Sequence, residues 1–297
     1  MNLDSMQDII SLCEEKNMPM WEVVLETDMA NRGVSREQSM LKMAQVWNAM
    51  MEASGTYSGT KRSLSGLVGG QGQMMRDYAA SAKTIGGDFT AQVIAEALAM
   101  GESNACMCRI VAAPTAGACG VLPAVLIPMY RREQYKQEQM LRAMFVASGI
   151  GAVIAYRAGI SGAAGGCQAE VGSAASMAAG ALVALRGGTP AQIGHAVAMA
   201  LKNLLGLVCD PVAGLVEVPC VKRNVIGAMS AIAAADMAMA GIESRIPADE
   251  VIDAMGDIGR RMPVEFRETA LGGLAVTPTG KEVKEMINDR RKNISAN

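Results

Sequence analysis

Charge, rings and long apolar runs are all scarce in this chain. Charged residues make up 19% and aromatic ones 3%, against 51% hydrophobic. That balance excludes a disordered polypeptide and predicts a strongly buried interior or an extensive subunit contact, hence an oligomer. Basic residues are scattered apart from short runs such as RRMP and DRRK, and the net charge is -2, so nucleic acid is not an expected partner. No membrane is expected either. The best apolar stretch, AMFVASGIGAVIAY between Arg142 and Arg157, has fourteen residues and includes Ser148, Gly149 and Gly151, whereas a span takes about twenty. A secretion signal is also missing from the pattern, because MNLDSMQDIISLCEEK is acidic where a basic region and an apolar core belong. A cytoplasmic location is therefore expected, with seven cysteines, an odd number, free or bound to metal.

What the chain has in quantity is alanine, glycine and methionine. Few segments alternate with period two, so propensity and periodicity predict an all-α fold. SREQ, Ser35 to Gln38, matches a capping box and opens a helix to about Ser54. Further helices are predicted from Asp88 to near Gly101, over about twenty residues of YKQEQMLRAMFVASGIGAVIAYRAG, and over 167–186, 190–205, 220–241, 247–260 and 281–292. With no clear repeat and no long linker, residues 1–297 read as one large helical domain. The 24 methionines are expected to fill the core between small-residue helix faces.

Cysteines stand in three glycine-bearing breaks: AAPTAGACG (112–120), SGAAGGCQAE (161–170) and CDPVAGLVEVPC (209–220). Glycine permits positive φ and close backbone approach. Cys167, Cys209 and Cys220 each fall at a predicted helix boundary, where exposed N–H groups favour the metal-binding thiolate. The absence of any C-x-x-C pair removes the zinc-ribbon arrangement. Gaps of 42 and 11 residues have no generic metal meaning, and a buried free cysteine is ordinarily just a small hydrophobe.

Four motifs in order, AAPTAGACGVLPAVL, SGAAGGCQAEVGSAASMAAGA, CDPVAGLVEVPC and ETALGGLAVTPTG, closely resemble the alpha subunit of bacterial iron-sulfur-dependent L-serine dehydratases, over nearly the whole chain. The resemblance implies that Cys167, Cys209 and Cys220 hold a 4Fe-4S cluster with one iron left open as a Lewis acid for L-serine. It also implies a companion beta subunit, since the α/β domain that precedes the helical one in single-chain relatives, and is thought to supply an active-site histidine, is not in this sequence. Those relatives end in a cysteine, whereas this chain ends NISAN. Cys13, Cys106, Cys108 and Cys119 receive no ligand role, although the family pattern has glycine more usually at 108.

His195 is the chain's single histidine. It is a candidate for the base that takes the α-proton, weighed against a packing role on an apolar helix. For the carboxylate and amine of serine, chemistry and loop position nominate Thr115, Ala116 and Gly117 as an anion nest, with Asn104, Ser58, Thr60 and Lys61 beside them. Two other functions stay open: cysteine desulfidation, and a noncatalytic cluster protein acting as redox sensor or scaffold. A pyridoxal enzyme is disfavoured, as no lysine stands in a recognisable Schiff-base motif.

Overall fold

Small side chains let the helices of this protein approach closely. The computed structural model describes residues 3–81 and 83–295, with backbone alone from 291, so the NISAN end lies partly outside. Among the described residues the helices are α1 (Met6–Lys16), α2 (Met20–Arg32), α3 (Arg36–Gly55), α4 (Gln71–Ala80), α5 (Gly87–Ala105), α6 (Val121–Glu133), α7 (Gln137–Arg157), the single turn α8 (Gly162–Gly165), α9 (Ser173–Leu185), α10 (Pro190–Lys202), α11 (Cys220–Met239), α12 (Ala248–Arg261) and α13 (Pro278–Ser295). No strand occurs among them, only an isolated parallel bridge between Cys209 and Arg267. The fold is all-α, as the sequence predicts.

At its centre runs α9, in which every residue from Ser173 to Val183 is buried. A helix apolar on all sides must be enclosed on all sides, and α9 is packed by α6, α7, α10 and α11. Gly180 allows the closest approach, since a Cβ there would run into the Ile150 side chain of α7. The long helix α7, the one described helix apolar and long enough to cross a membrane, buries Met140, Phe145, Ile150 and Ile154 in this core.

Helix ends follow their local chemistry. Ser35 Oγ accepts from Gln38 N (3.3 Å) while Gln38 Oε1 accepts from Ser35 N (2.9 Å), completing the expected capping box of α3. Thr189 and Gln192 cap α10 in the same way, with Pro190 at the first position. The sequence ended the fifth helix near Gly101, but α5 continues to Ala105. Gly101 is a packing residue, not a stop, because a Cβ there would sit 3.2 Å from Val221 of α11. The sequence reading set no bounds for α6, whose prolines obscure it: Pro123 lies in the first turn, where no intrahelical N–H is needed, and Pro128 lies inside.

The long break between α3 and α4 is closed onto α5 by one buried carboxylate. Glu102, 1% exposed, accepts from Tyr57 Oη (2.6 Å) and from the N–H groups of Gly69 (3.1 Å), Gln71 (2.8 Å) and Gly72 (3.1 Å). It thereby supplies the negative charge that the start of α4 favours. Burial, and then the Glu102 carboxylate, push the Tyr57 hydroxyl up to about 12.

Candidate metal centre

The break before α9, the break before α11 and the segment after α12 meet at one place. Cys167 is followed by a π-helical turn, Gln168–Gly172, that runs into α9; such turns often mark functional positions. Gln168, fully buried, stitches this turn to its neighbours: its amide donates to Met255 O (3.2 Å), its Oε1 accepts from Gly206 N (2.8 Å), and its own N–H donates to Leu207 O (3.0 Å). Cys209 is fixed by the bridge, donating from its N–H to Phe266 O (2.8 Å) and accepting from Glu268 N (2.8 Å). Cys220 is the first residue of α11.

Ligand atoms of Cys167, Glu170 and Cys209 all lie within 4.8 Å of one another. Cys220 is not in that compact group, although its thiol feels the same charges. Burial pushes it up to about 12, the negative charge of Cys167 adds to that, and Arg223 opposes. Cys167 itself is held below the ordinary thiol value, first by its hydrogen bond from Cys209 and then by the Arg223 guanidinium against the effect of burial. Cys209, the donor in that pair, is raised correspondingly.

Arg223 organises this side of the centre. Its Nη1 donates to Cys167 Sγ (3.3 Å) and Val208 O (2.8 Å), and its Nη2 pairs with Asp210 Oδ1 (2.8 Å). The second oxygen of Asp210 accepts from Leu274 N (2.8 Å), anchoring the segment after α12. One turn of α11 carries both Arg223 and Asn224. Asn224 ties the 112–120 break in place, its Oδ1 accepting from Gly120 N (2.8 Å) and its Nδ2 donating to Gly117 O (2.9 Å) and Cys220 O (2.9 Å).

Two carboxylates, Glu170 and Glu268, meet beside Gly162. Burial raises Glu170 above the usual carboxylate range, with Glu268 adding to the shift and Thr115 opposing it. Thr115 Oγ1 is buried without a hydrogen bond of ordinary distance and angle. Non-glycine residues occupy the left-handed region at Ala213 (φ 54), Glu268 (φ 64) and Ala270 (φ 55), each costing about 1 kcal/mol or more and held by its surroundings.

The nominated substrate residues divide. The Thr115–Gly117 turn touches the centre, since a Cβ on Gly117 would sit 3.1 Å from Glu170 Oε1. Asn104 Nδ2 donates to Ala116 O (3.1 Å), and both residues line a cavity of about 510 Å³ with Ser65, Leu215, Glu217 and Arg290. Ser58 and Thr60 bond to each other (3.0 Å), and Lys61 donates to Cys108 Sγ (3.2 Å). His195 lies elsewhere again. Its Nδ1 accepts from Ser244 N (3.3 Å), and it lines a cavity with residues of α1 and α12, including Met6, Ile10 and Asp249, that contains no cysteine.

Sequence reasoning missed Glu170, Asp210, Arg223, Asn224 and Glu268. The signal for most of them was present. Arg223 and Asn224 follow Cys220 by three and four residues, the spacing that shares one helix face, and Asp210 adjoins Cys209. Glu268 opens the ETALGGLAVTPTG motif, but only the bridge after α12 shows that it reaches the centre.

A donor set of buried thiols, one biased toward thiolate, fits a soft metal or iron-sulfur group. The Serine dehydratase alpha chain family matches residues 15–275. A "Probable L-serine dehydratase, alpha chain" of Bacillus subtilis is 47% identical over 95% of this chain and 94% of its own length. The "L-serine dehydratase, alpha chain" of Peptoniphilus asaccharolyticus is 42% identical over 95% and 97%. "L-serine dehydratase 2" of Escherichia coli is 38% identical over 92% of this chain, but over 61% of its own greater length. The chain belongs to the serine dehydratase alpha chain family.

Proposed function

We propose that this chain carries the active site of an L-serine ammonia-lyase (L-serine dehydratase), which releases pyruvate and ammonia from L-serine in complex with a companion beta chain in the reducing cytoplasm. Cys167, Cys209 and Cys220 would hold a 4Fe-4S cluster. The observation that carries this reading is the meeting of thiols from separate breaks beside Glu170 and Arg223, in a chain whose near relatives are named L-serine dehydratase alpha chains. When bound, the cluster supplies a Lewis acid to the substrate hydroxyl.

This chain's own residues do the rest. Arg223 offsets negative charge on Cys167 and, through Asp210, holds the 209–220 break in register with the segment after α12. Thr115 Oγ1 and the N–H groups of Ala116 and Gly117 offer donors to the substrate carboxylate. Asn104 braces that turn from behind through Ala116 O. Glu170 faces the same space and offers a carboxyl oxygen to the substrate ammonium. The base that takes the α-proton comes from the companion chain, and His195 acts at a distance by holding α10 to the segment before α12 through Ser244.

Co-expression with the gene's genomic neighbour and purification without oxygen tests this. The expected result is a brown chromophore together with pyruvate release from L-serine. A chromophore without turnover would make the chain a cluster scaffold. Preferential sulfide release from L-cysteine would move it to desulfidation.

A further inference from the structure

The CMC motif at the end of α5 has no part in the metal centre, and its geometry suits different chemistry. α5 stops because Met107 takes the left-handed conformation (φ 58). The Met107 N–H then donates to Asn104 O (3.0 Å) and the Cys108 N–H to Ser103 O (2.8 Å), the paired reversal that closes a helix C-terminus and fixes the residue after it. That residue is Cys108. From the other side, the loop before α4 presents Lys61, whose N–H donates to Ser58 O (3.3 Å) and whose carbonyl accepts from Arg62 Nη1 (3.0 Å). Gly69, at φ +134, lies so close over this carbonyl that any Cβ would overlap it. With both backbones held, Lys61 Nζ donates to Cys108 Sγ at 3.2 Å.

The other thiols outside the metal centre are shielded. Burial raises Cys13 to about 11 and Cys119 to about 12, and it raises Cys106 as well. Cys108 is only half-buried and Lys61 is exposed. We propose that Lys61 and Cys108 form an oxidant-responsive cross-link, in which peroxide converts Cys108 to a sulfenic acid and the Lys61 amine captures it as a sulfenamide, tying the loop before α4 to the end of α5.

The atoms balance without a further reagent. The Cys108 thiolate, the nucleophilic form, attacks hydrogen peroxide. An S–O bond forms, the O–O bond breaks, and the departing hydroxide takes a proton from the Lys61 ammonium and becomes water. Sulfur is oxidised and peroxide is reduced. The neutral amine left behind starts within the roughly 3–3.5 Å of a near-attack arrangement. It attacks the sulfenic sulfur, the S–N bond forms, the S–O bond breaks, and a second water leaves. One added thiol displaces the amine and leaves a mixed disulfide on Cys108, and a second thiol releases the Cys108 thiol, so both side chains are restored.

The test uses the full chain in complex with its companion, exposed to hydrogen peroxide, blocked with a thiol alkylator and digested without reductant. Mass spectrometry should find one peptide pair joining Lys61 to Cys108, lighter by two hydrogens than the separate peptides and lost on treatment with dithiothreitol. In Lys61→Gln the cross-link is absent, and dimedone, a sulfenic-acid trap, labels Cys108 more strongly than in the unchanged protein. A Cys106–Cys108 disulfide instead, equal dimedone labelling with and without Lys61, or an unmodified Cys108 would each overturn the proposal.

Discussion

The two ends of α9 treat a buried thiol in opposite ways. Near its C-terminal end, Ala184 and Leu185 line a cavity of about 550 Å³ with Cys13, Trp21, Arg142 and Val146. There the Cys13 thiol is pushed up to about 11 by burial, with Glu14 adding to the shift. Arg142, in the same cavity, stacks over Trp21 (4.7 Å) and pairs with Glu138 (2.6 Å). Near the N-terminal end Cys167 is equally buried but held down by Cys209 and Arg223. Burial alone makes a thiol a small hydrophobe. A cation and a donor aimed at the sulfur favour the thiolate, the form that binds metal.

The largest expected effect tests this contrast directly. Cys167→Ser, Cys209→Ser or Cys220→Ser should each remove nearly all bound iron and sulfide from the anaerobically purified complex, whereas Cys13→Ser should leave both unchanged. Full cluster content in Cys209→Ser would erase the distinction between the two ends.

Next in size is the loss of the cation. Arg223→Ala leaves Asp210, 3% exposed, without its partner and unties the Cys167 contact. Removing one member of such a buried pair destabilises by roughly 3 kcal/mol, and metal affinity should fall by about tenfold or more. Urea denaturation and iron analysis read the two effects separately. Arg223→Lys should recover charge but not the forked contacts to Asp210 and Val208 O, so it should restore stability only in part.

Much of the contrast was legible in the sequence, and what was missed is instructive. Helices announced themselves by the capping box at Ser35 and by the small-residue run of α9, whereas the matching cap at Thr189 went unread. Gly101 misled because a helical glycine signals either a stop or a close neighbour, and the neighbour, Val221, lies far away in sequence. The three cysteines were named through a family resemblance and not through spacing. The charge that distinguishes Cys167 from Cys13 is Arg223, one helical turn beyond Cys220 in sequence, with its partner Asp210 adjoining Cys209. Glu268 and the Lys61–Cys108 contact depend on how loops fold back, which local pattern does not encode.

A smaller effect comes from the middle of α9, away from both ends. Gly180→Ala should destabilise by about 1–3 kcal/mol, because the added methyl meets Ile150 in a tightly packed interface. Iron and sulfide content per folded molecule should not change. A loss of metal here would mean that packing along α9, not the charges at its N-terminal end, sets the thiols' behaviour.

The smallest effect is expected at His195. Its Nδ1 accepts from the Ser244 N–H, so that nitrogen is engaged as an acceptor, and its surroundings are the faces of α1, α10 and α12. His195→Ala removes one hydrogen bond, worth about 1 kcal/mol, and leaves a cavity beside Ile10 and Asp249. In the reconstituted complex, L-serine turnover should therefore drop far less than the roughly hundredfold that loss of a catalytic base brings. Any decrease should track the fraction of folded protein and leave the pH profile of kcat/KM in place. A collapse of turnover in a fully folded, fully metallated His195→Ala complex, with the acidic limb of that profile gone, would instead put the proton-transfer step on α10 and bring a third region into the chemistry.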